Sequence, residues 1–392
     1  MTQLQQPFRP KVMVIFGTRP EAVKMAPIVN ALKQRPDCLE ACIVVTAQHR
    51  EMLDQVLDIF EIEPDHDLNL MKAGQTLTSI TIGALQGLEQ LMVQEKPDFV
   101  LVQGDTTTAY VGGLAAFYQQ IPVGHVEAGL RTGNLLNPFP EEANRRMLSV
   151  LASRHYAPTK TAEAALLAEN IDPAIVDVTG NTVIDALLTT VNRQHTYVEP
   201  ALREIDFDAY KHTVLVTAHR RENLGKPLEQ ICLGIRDLLE ARPNMQVVFP
   251  VHLNPKVQKT VRHYLGALPN ARLIPPLQYV DFVHVMRQAD LVLTDSGGIQ
   301  EEAPSLGVPV LVMRETSERP EAITAGVARL VGTDRDHIFA QVTSLLNDPN
   351  AYQAMQRAIN PYGDGKAATR IVNSIIGYFE LASDGEQMPL AI

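Results

Sequence analysis

The chain predicts an α/β fold: two doubly wound parallel-sheet domains, with a ligand site in the interdomain cleft. Three observations carry this expectation. Short apolar runs of strand length alternate with helix-length amphipathic runs almost throughout, which is the mark of βαβ units. Runs such as Phe99-Val100-Leu101-Val102 are apolar on both faces, as central parallel strands must be. And 392 residues exceed one ordinary core and suit two.

In the first half, strands are expected near 12–16, 42–47, 98–103, 122–126 and 175–179. Helices are expected near 21–35, 50–60, 77–95, 107–119, 140–153 and 182–193. In the second half, strands fall near 213–218, 246–251, 272–275, 290–294, 309–313 and 328–331, with helices near 227–241, 255–266, 280–288, 298–306 and 335–347. The alternation lapses between 194 and 212, a polar stretch containing Pro200, so the boundary belongs around 185–210. This gives domains 1–190 and 191–365. The turn residues Asn360 to Gly365 then allow the terminal helical segment, 366–392, to return to the first domain.

The bulk numbers exclude several function classes. A composition of 45% hydrophobic and 20% charged residues is that of an ordinary globular protein. The net charge of −11 offers no basic field for a nucleic acid. No stretch approaches about 18 uninterrupted apolar residues, so no membrane span is expected. Residues 1–11 are polar, with no apolar signal core. Cys38, Cys42 and Cys232 show neither a metal spacing nor a disulfide pattern, so a reducing, cytoplasmic setting is expected, with buried structural thiols.

Two strand-to-helix turns stand out. Val12 to Phe16 breaks at Gly17-Thr18-Arg19-Pro20; Leu291 to Thr294 breaks at Asp295-Ser296-Gly297-Gly298. Strand, small polar loop and helix start together aim N–H groups at the loop, which favours phosphate. One such turn in each half suggests a nucleotide-linked substrate between two lobes. Neither turn has the spacing of a P-loop or a dinucleotide fingerprint.

Open α/β sheets bind ligands at the carboxyl ends of their strands. The polar residues there include Gln48-His49-Arg50, Asp105, Glu127 with Arg131, His219 with Arg220 and Arg221, and His252. Each has a plainer reading. Asp105 can cap the next helix. Lys24 alone reads as solvated charge, whereas Arg19, at a strand end, reads better as a phosphate contact. One of Glu141 and Glu142 can simply complement a helix dipole, as can Glu301 and Glu302, read here as a first helical turn; alternatively, one of the latter pair accepts ribose hydroxyls. A lone histidine is more often structural, but His219, at a strand end beside Arg220 and Arg221 and facing the cleft, reads better as functional, and His252 can merely brace the site. Three carboxylates near one cleft suit proton abstraction and delivery.

Together these segments resemble the bacterial non-hydrolysing UDP-N-acetylglucosamine 2-epimerases. The resemblance covers about residues 11 to 366 and is carried by Gly17 to Pro27, Thr46 to Arg50, Gly104 to Thr108, His125 to Thr132, Pro140 to Arg145 and Thr179 to Asp185. It continues through His219 to Asn223, Pro250 to Pro255, Asp295 to Pro304 and Glu318 to Glu321. It implies two Rossmann-like lobes of the GT-B type, a homodimer, and interconversion of UDP-GlcNAc and UDP-ManNAc with no metal and no cofactor. By resemblance Asp105, Glu127, Glu141 and His219 match catalytic positions. Arg19, Lys24, Phe282, Ser296, Gly297, Gly298, Glu302 and Arg319 match substrate contacts. Gln48, Gln75 and His252 lie in segments resembling a site for a second, activating UDP-GlcNAc. Some members carry an arginine just before Gln75, where this chain has Gly74.

The hydrogen on sugar carbon 2 is barely acidic, so its loss is expected to be coupled to departure of UDP. The product is a 2-acetamidoglucal, and UDP re-adds as the other face is protonated. Carboxylates would serve the sugar and positive groups the leaving phosphate; which carboxylate serves which face is open. Retaining the intermediate requires closure, for which hinges near 185–210 and 360–366 are expected. A GT-B glycosyltransferase would share the fold but need an acceptor, and a nucleotide-sugar sensor would bind without turnover. All four catalytic-type residues argue against the sensor.

Overall fold

The computed structural model describes residues 9–47, 50–71 and 74–383. The chain forms two compact units, one up to Ala186 and again from Tyr362, the other from Leu187 to Pro361. Among the described residues, no helix is long and apolar enough to cross a membrane.

The first unit opens with β1 (Lys11–Phe16), α1 (Arg19–Lys33), β2 (Glu40–Val45), α2 (Arg50–Phe60), β3 (His66–Asp67) and α3 (Leu77–Glu95). It continues with β4 (Phe99–Gln103), α4 (Thr107–Tyr118), β5 (Val123–Val126), α5 (Glu141–Leu151), β6 (Arg154–Ala157), α6 (Lys160–Ala168), β7 (Val176–Val178) and the start of α7 (Thr182–Val191), whose residues from Leu187 on belong to the second unit. Its sheet runs β3-β2-β1-β4-β5-β6-β7, parallel throughout. The central strands β1 and β4 are buried apart from Lys11 at the start of β1, as their two-faced apolarity requires.

The second unit holds α8 (Pro200–Arg203), β8 (His212–Thr217), α9 (Lys226–Ala241), β9 (Met245–Pro250), α10 (Pro255–Leu265), β10 (Ala271–Ile274) and α11 (Tyr279–Gln288). There follow β11 (Leu291–Thr294), α12 (Gly297–Glu302), β12 (Val310–Val312), α13 (Pro320–Thr324), β13 (Ala328–Leu330), α14 (Arg335–Asn347) and α15 (Pro349–Arg357). The sheet order is β10-β9-β8-β11-β12-β13, again all parallel. The last helix, α16 (Ala367–Ser383), belongs to the first unit.

In each sheet the strand order reverses once, between β1 and β4 and between β8 and β11. A crevice opens at the carboxyl ends of the strands where the order reverses. Those ends carry Gly17 to Pro20 and Gly104-Asp105 in one unit, and His219 and Asp295 to Gly298 in the other.

Three elements, β6, α6 and α12, differ from the sequence expectation for a physical reason, and β3, α8, α13 and α15 add to it. β6 and α6 fall between the helix expected near 140–153 and the strand expected near 175–179, where Arg154-His155-Tyr156-Ala157 has no apolar run and yet fills a strand position. The helix expected over 298–306 stops at Glu302, and Ala303–Leu306 continues as a 3-10 turn carrying Pro304.

Candidate functional site

The turn after β1 is tighter than its sequence suggests. A Cβ on Gly17 would stand 2.0 Å from Thr46 Oγ1 and 2.8 Å from Thr108 Oγ1, so only glycine admits both neighbours. Glu21 then reaches back from α1. Its Oε2 accepts the N–H groups of Gly17 at 3.0 Å and Thr18 at 2.8 Å. Its Oε1 accepts the Thr106 hydroxyl at 2.6 Å. Burial pushes the Glu21 carboxyl up, against the pull of these hydrogen bonds. This corrects the expectation for the loop: the Gly17 and Thr18 N–H groups serve Glu21 rather than standing open to phosphate. Arg19 is the first residue of α1, part-exposed beside this closed turn.

Glu127 is the centre of the first unit's polar cluster. Lys24 Nζ lies 2.5 Å from its Oε1 and 2.7 Å from its Oε2. Asn181 Nδ2 donates to Oε1 at 2.9 Å, and the Gln103 amide donates to Oε2. The reading of Lys24 as solvated charge is therefore wrong: it reaches across from α1 into a part-buried ion pair. Glu127 also has φ 61°, in the left-handed region that non-glycine residues rarely enter. A conformation that costs on the order of 1–3 kcal/mol persists only where its surroundings hold it.

Asp105 does not cap α4. Thr106 does, accepting the Ala109 N–H at 3.0 Å. The Asp105 carboxylate pairs instead with the Arg145 guanidinium, and Asn144 Nδ2 donates to its carbonyl at 2.9 Å. Arg145 lies 3.4 Å from Glu142 as well. Glu142 is the structural member of the acidic pair: fully buried, it accepts N–H groups of Thr132 and Gly133 at 3.0 and 3.1 Å. Glu141 is part-exposed at the start of α5, with no side-chain hydrogen bond or ion pair among the described residues. Arg131 turns away to Glu169 and Ser149.

In the second unit Asp295 organises the edge. It accepts the N–H groups of His219 and Arg220, both at 2.9 Å, and Asn223 Nδ2 at 3.0 Å. His219 Nδ1 stands 3.2 Å from Asp295 Oδ1, which orients the ring. Burial pushes the Asp295 carboxyl up, but the His219 and Arg220 hydrogen bonds prevail and hold it below the usual range. His252 stacks on His219 with ring centroids 6.0 Å apart.

Glu301 and Glu302 end α12 rather than open it, so neither complements its N-terminus. Glu301 pairs with Arg319, and Glu302 accepts the Tyr279 hydroxyl at 3.2 Å. Ser296 caps α12 by position without a side-chain bond. A Cβ built on Gly297 would lie 3.6 Å from Arg220 Nη2 and 4.0 Å from Arg319 Cζ, so two guanidiniums flank this turn. Glu318 sits among Arg220, Arg314 and Arg319; burial pushes its carboxyl up, and the three cations pull it below the usual range. Phe282 is part-exposed on α11. The Gln75 amide donates to the Leu70 carbonyl, and Gln48 lies outside the described residues.

The sequence reading missed Gln103, Asn181 and Arg145 as partners of the key carboxylates. Arg145 and Asn181 stand inside motifs that it singled out, and Gln103 immediately precedes Gly104-Asp105. The signal was proximity to a strand end, which alone does not say where a side chain points.

Comparison with known proteins fits this arrangement. The family model described as UDP-N-acetylglucosamine 2-epimerase matches residues 30–376. The chain is 55% identical over 369 residues to the UDP-N-acetylglucosamine 2-epimerase of Escherichia coli strain K12, covering 93% of this chain and 98% of that protein. The Bacillus subtilis strain 168 enzyme of the same name is 52% identical, with 94% and 96% covered. A crystal structure of UDP-GlcNAc 2-epimerase from Neisseria meningitidis bound to UDP-GlcNAc superposes with a TM-score of 0.84 at 48% identity, covering 94% of this chain and all of that one. With parallel sheets, polar clusters at their reversal points and similarity along nearly its whole length, the chain belongs to the UDP-N-acetylglucosamine 2-epimerase family.

Proposed function

We propose that this chain interconverts UDP-GlcNAc and UDP-ManNAc by eliminating and re-adding UDP. The observation that carries the mechanism is the Glu127 cluster, a carboxylate held in a strained backbone by Lys24, Gln103 and Asn181. A base at one face of carbon 2 takes the proton, and its electron pair forms the carbon 1–carbon 2 double bond. The anomeric carbon–oxygen bond breaks, and UDP leaves. Return of UDP with a proton delivered to the opposite face completes the epimerisation. Glu127, Asp105 and Glu141 are the carboxylates for these two faces. Lys24, 2.5 Å from Glu127, is placed to exchange a proton with it. His219, oriented by Asp295, and the turn from Ser296 to Gly298 serve the departing diphosphate, where negative charge grows. Arg19, Phe282, Glu302 and Arg319 complete the substrate contacts in this reading.

The same reading makes the enzyme a cytoplasmic homodimer that supplies a precursor for cell-surface polysaccharide. It also allows a second UDP-GlcNAc as activator beside Gln75 and His252, with Gly74 lacking the cationic contact of some relatives.

Proton NMR in deuterated water tests the chemistry. UDP-GlcNAc alone, without added metal or nicotinamide, should gain deuterium at carbon 2 as UDP-ManNAc appears. Epimerisation without solvent exchange would rule out proton abstraction, and a requirement for an acceptor would favour the glycosyltransferase reading.

A further inference from the structure

Away from the carboxyl edge of the first sheet, three side chains with different donor atoms converge. Cys42 of β2, His66 of β3 and Glu95 at the end of α3 bring a thiol sulfur, an imidazole nitrogen and a carboxylate oxygen within 4.8 Å of one another. His66 Nε2 stands 3.1 Å from Glu95 Oε1. Cys42 is 4% exposed, and its thiol makes no hydrogen bond among the described residues. A buried free cysteine ordinarily behaves as a small apolar residue, and Cys42 does pack beside Met13, Val44, Leu88 and Met92. That role does not call for an imidazole and a carboxylate over the sulfur.

We propose that Cys42, His66 and Glu95 form a binding site for one zinc-class divalent cation, with water as the fourth ligand. Sulfur, imidazole nitrogen and carboxylate oxygen together form a borderline donor set of the kind zinc takes. Tetrahedral ligand atoms around zinc lie about 3.5 Å apart, so the cluster must contract by about 1 Å at its widest. Cys42 is fixed in the core, but the side chains of His66 and Glu95 are 24% and 21% exposed and can make that movement. Lys11 Nζ holds the other Glu95 oxygen at 3.2 Å and Glu40 at 3.0 Å. It can remain as an outer partner that orients the ligating carboxylate. Gln94 Nε2, 3.0 Å from Glu95 Oε1, would yield its place to the metal.

Binding is balanced by proton release. Burial, with the charges of Asp65 and Glu95, pushes the Cys42 thiol up to about 12, so without metal it is protonated. Coordination forms the metal–sulfur bond and passes that proton to water. Glu40 and Asp65 lie close enough to favour the positive charge gained. The ion would tie β2, the two-residue β3 and the end of α3 together. The site therefore serves stability, and it stands or falls independently of the reading of Glu127.

Metal-free full-length protein titrated with Co²⁺ and Zn²⁺ tests the site. One equivalent of Co²⁺ should give a thiolate-to-metal charge-transfer band, present in Cys38→Ser and absent in Cys42→Ser. Zn²⁺ should raise the Tm of the wild type and leave that of Cys42→Ser unchanged. Glu95→Gln and His66→Gln, at part-exposed positions, should each weaken binding by at least the roughly 10–100-fold that even an outer partner is worth. A wild type without the band, a band that survives Cys42→Ser, or unchanged affinity in both surface variants would overturn the proposal.

Discussion

Glu127 shows how far single residues could be read. Its position after a strand was visible in the sequence, but its φ of 61° and its contacts with Lys24, Gln103 and Asn181 were not, because they join segments far apart in the chain. Asp105 was legible as important and ambiguous as to why; the cap fell to Thr106, leaving the carboxylate for Arg145. Asp105→Asn, Glu127→Gln and Glu141→Gln should fold and lose about 10²–10⁴-fold in kcat. Near-normal turnover in all three would move the reaction elsewhere. Gly297 permits a cleaner test of the turn proposed to hold the nucleotide. Added Cβ contacts there are 3.6 Å or longer, so Gly297→Ala meets no obstacle within the protein. Its Tm should match the wild type, while UDP affinity in calorimetry falls by about tenfold or more, because a methyl group keeps phosphate from the backbone. Arg19→Ala should lower kcat as well as weaken binding, since a cation near a leaving diphosphate acts most in the transition state. UDP binding by both variants at wild-type strength would remove the two turns from the site.

Periodicity found the elements that are apolar and missed those that are not. β6 was invisible because His155 occupies a core position, paired in register with His125 of β5. Both rings are fully buried. His125 Nε2–H donates to the Gly104 carbonyl at 2.8 Å, whereas neither ring nitrogen of His155 has a partner among the described residues. Burial drives both bases down from 6.5, His125 to about 4 and His155 to about 3. Unfolded histidines take up protons near pH 6.5, while these folded ones do not until far lower. Their contribution to stability is therefore complete above about pH 6.5. It is lost as the pH falls towards the folded values, by about 2 kcal/mol per histidine at pH 5. Urea midpoints from pH 7.5 to 5 should fall steeply, and His155→Phe should flatten the profile. Parallel profiles for variant and wild type would show that the pair does not govern acid sensitivity. The α1 turn shows the converse limit. Its strand–loop–helix pattern was read correctly as structure, but the pattern could not show that Glu21 already occupies the loop donors.

At the scale of the molecule, two parallel sheets were legible from alternation and length, and the return of the last helix from the turn residues before it. The means of attachment was not legible. Asp185 of α7 accepts the Ala367 and Ala368 N–H groups at 3.2 and 2.9 Å, capping α16 from outside. Asn181 N–H bonds the Tyr362 carbonyl at 2.7 Å, and Gly180 meets Gly363 backbone to backbone. Ile371, Val372 and Ile375 of α16 are buried, and Tyr378 and Phe379 meet Phe99 edge-on. Asn181 also holds Glu127, so the anchoring of the chain's return and the orientation of the candidate base share one short segment. Asp185→Ala removes a cap and should cost about 1 kcal/mol, read as a lower urea midpoint with an unchanged m value. It should also loosen the Asn181 turn and lower kcat, although Asp185 touches neither Glu127 nor Asp105. UDP affinity, assigned to the turn of the second unit, should not change. Asp185→Asn keeps one accepting oxygen and should recover part of both losses. A variant that loses stability while keeping full turnover would show that the C-terminal anchor and Glu127 are not coupled.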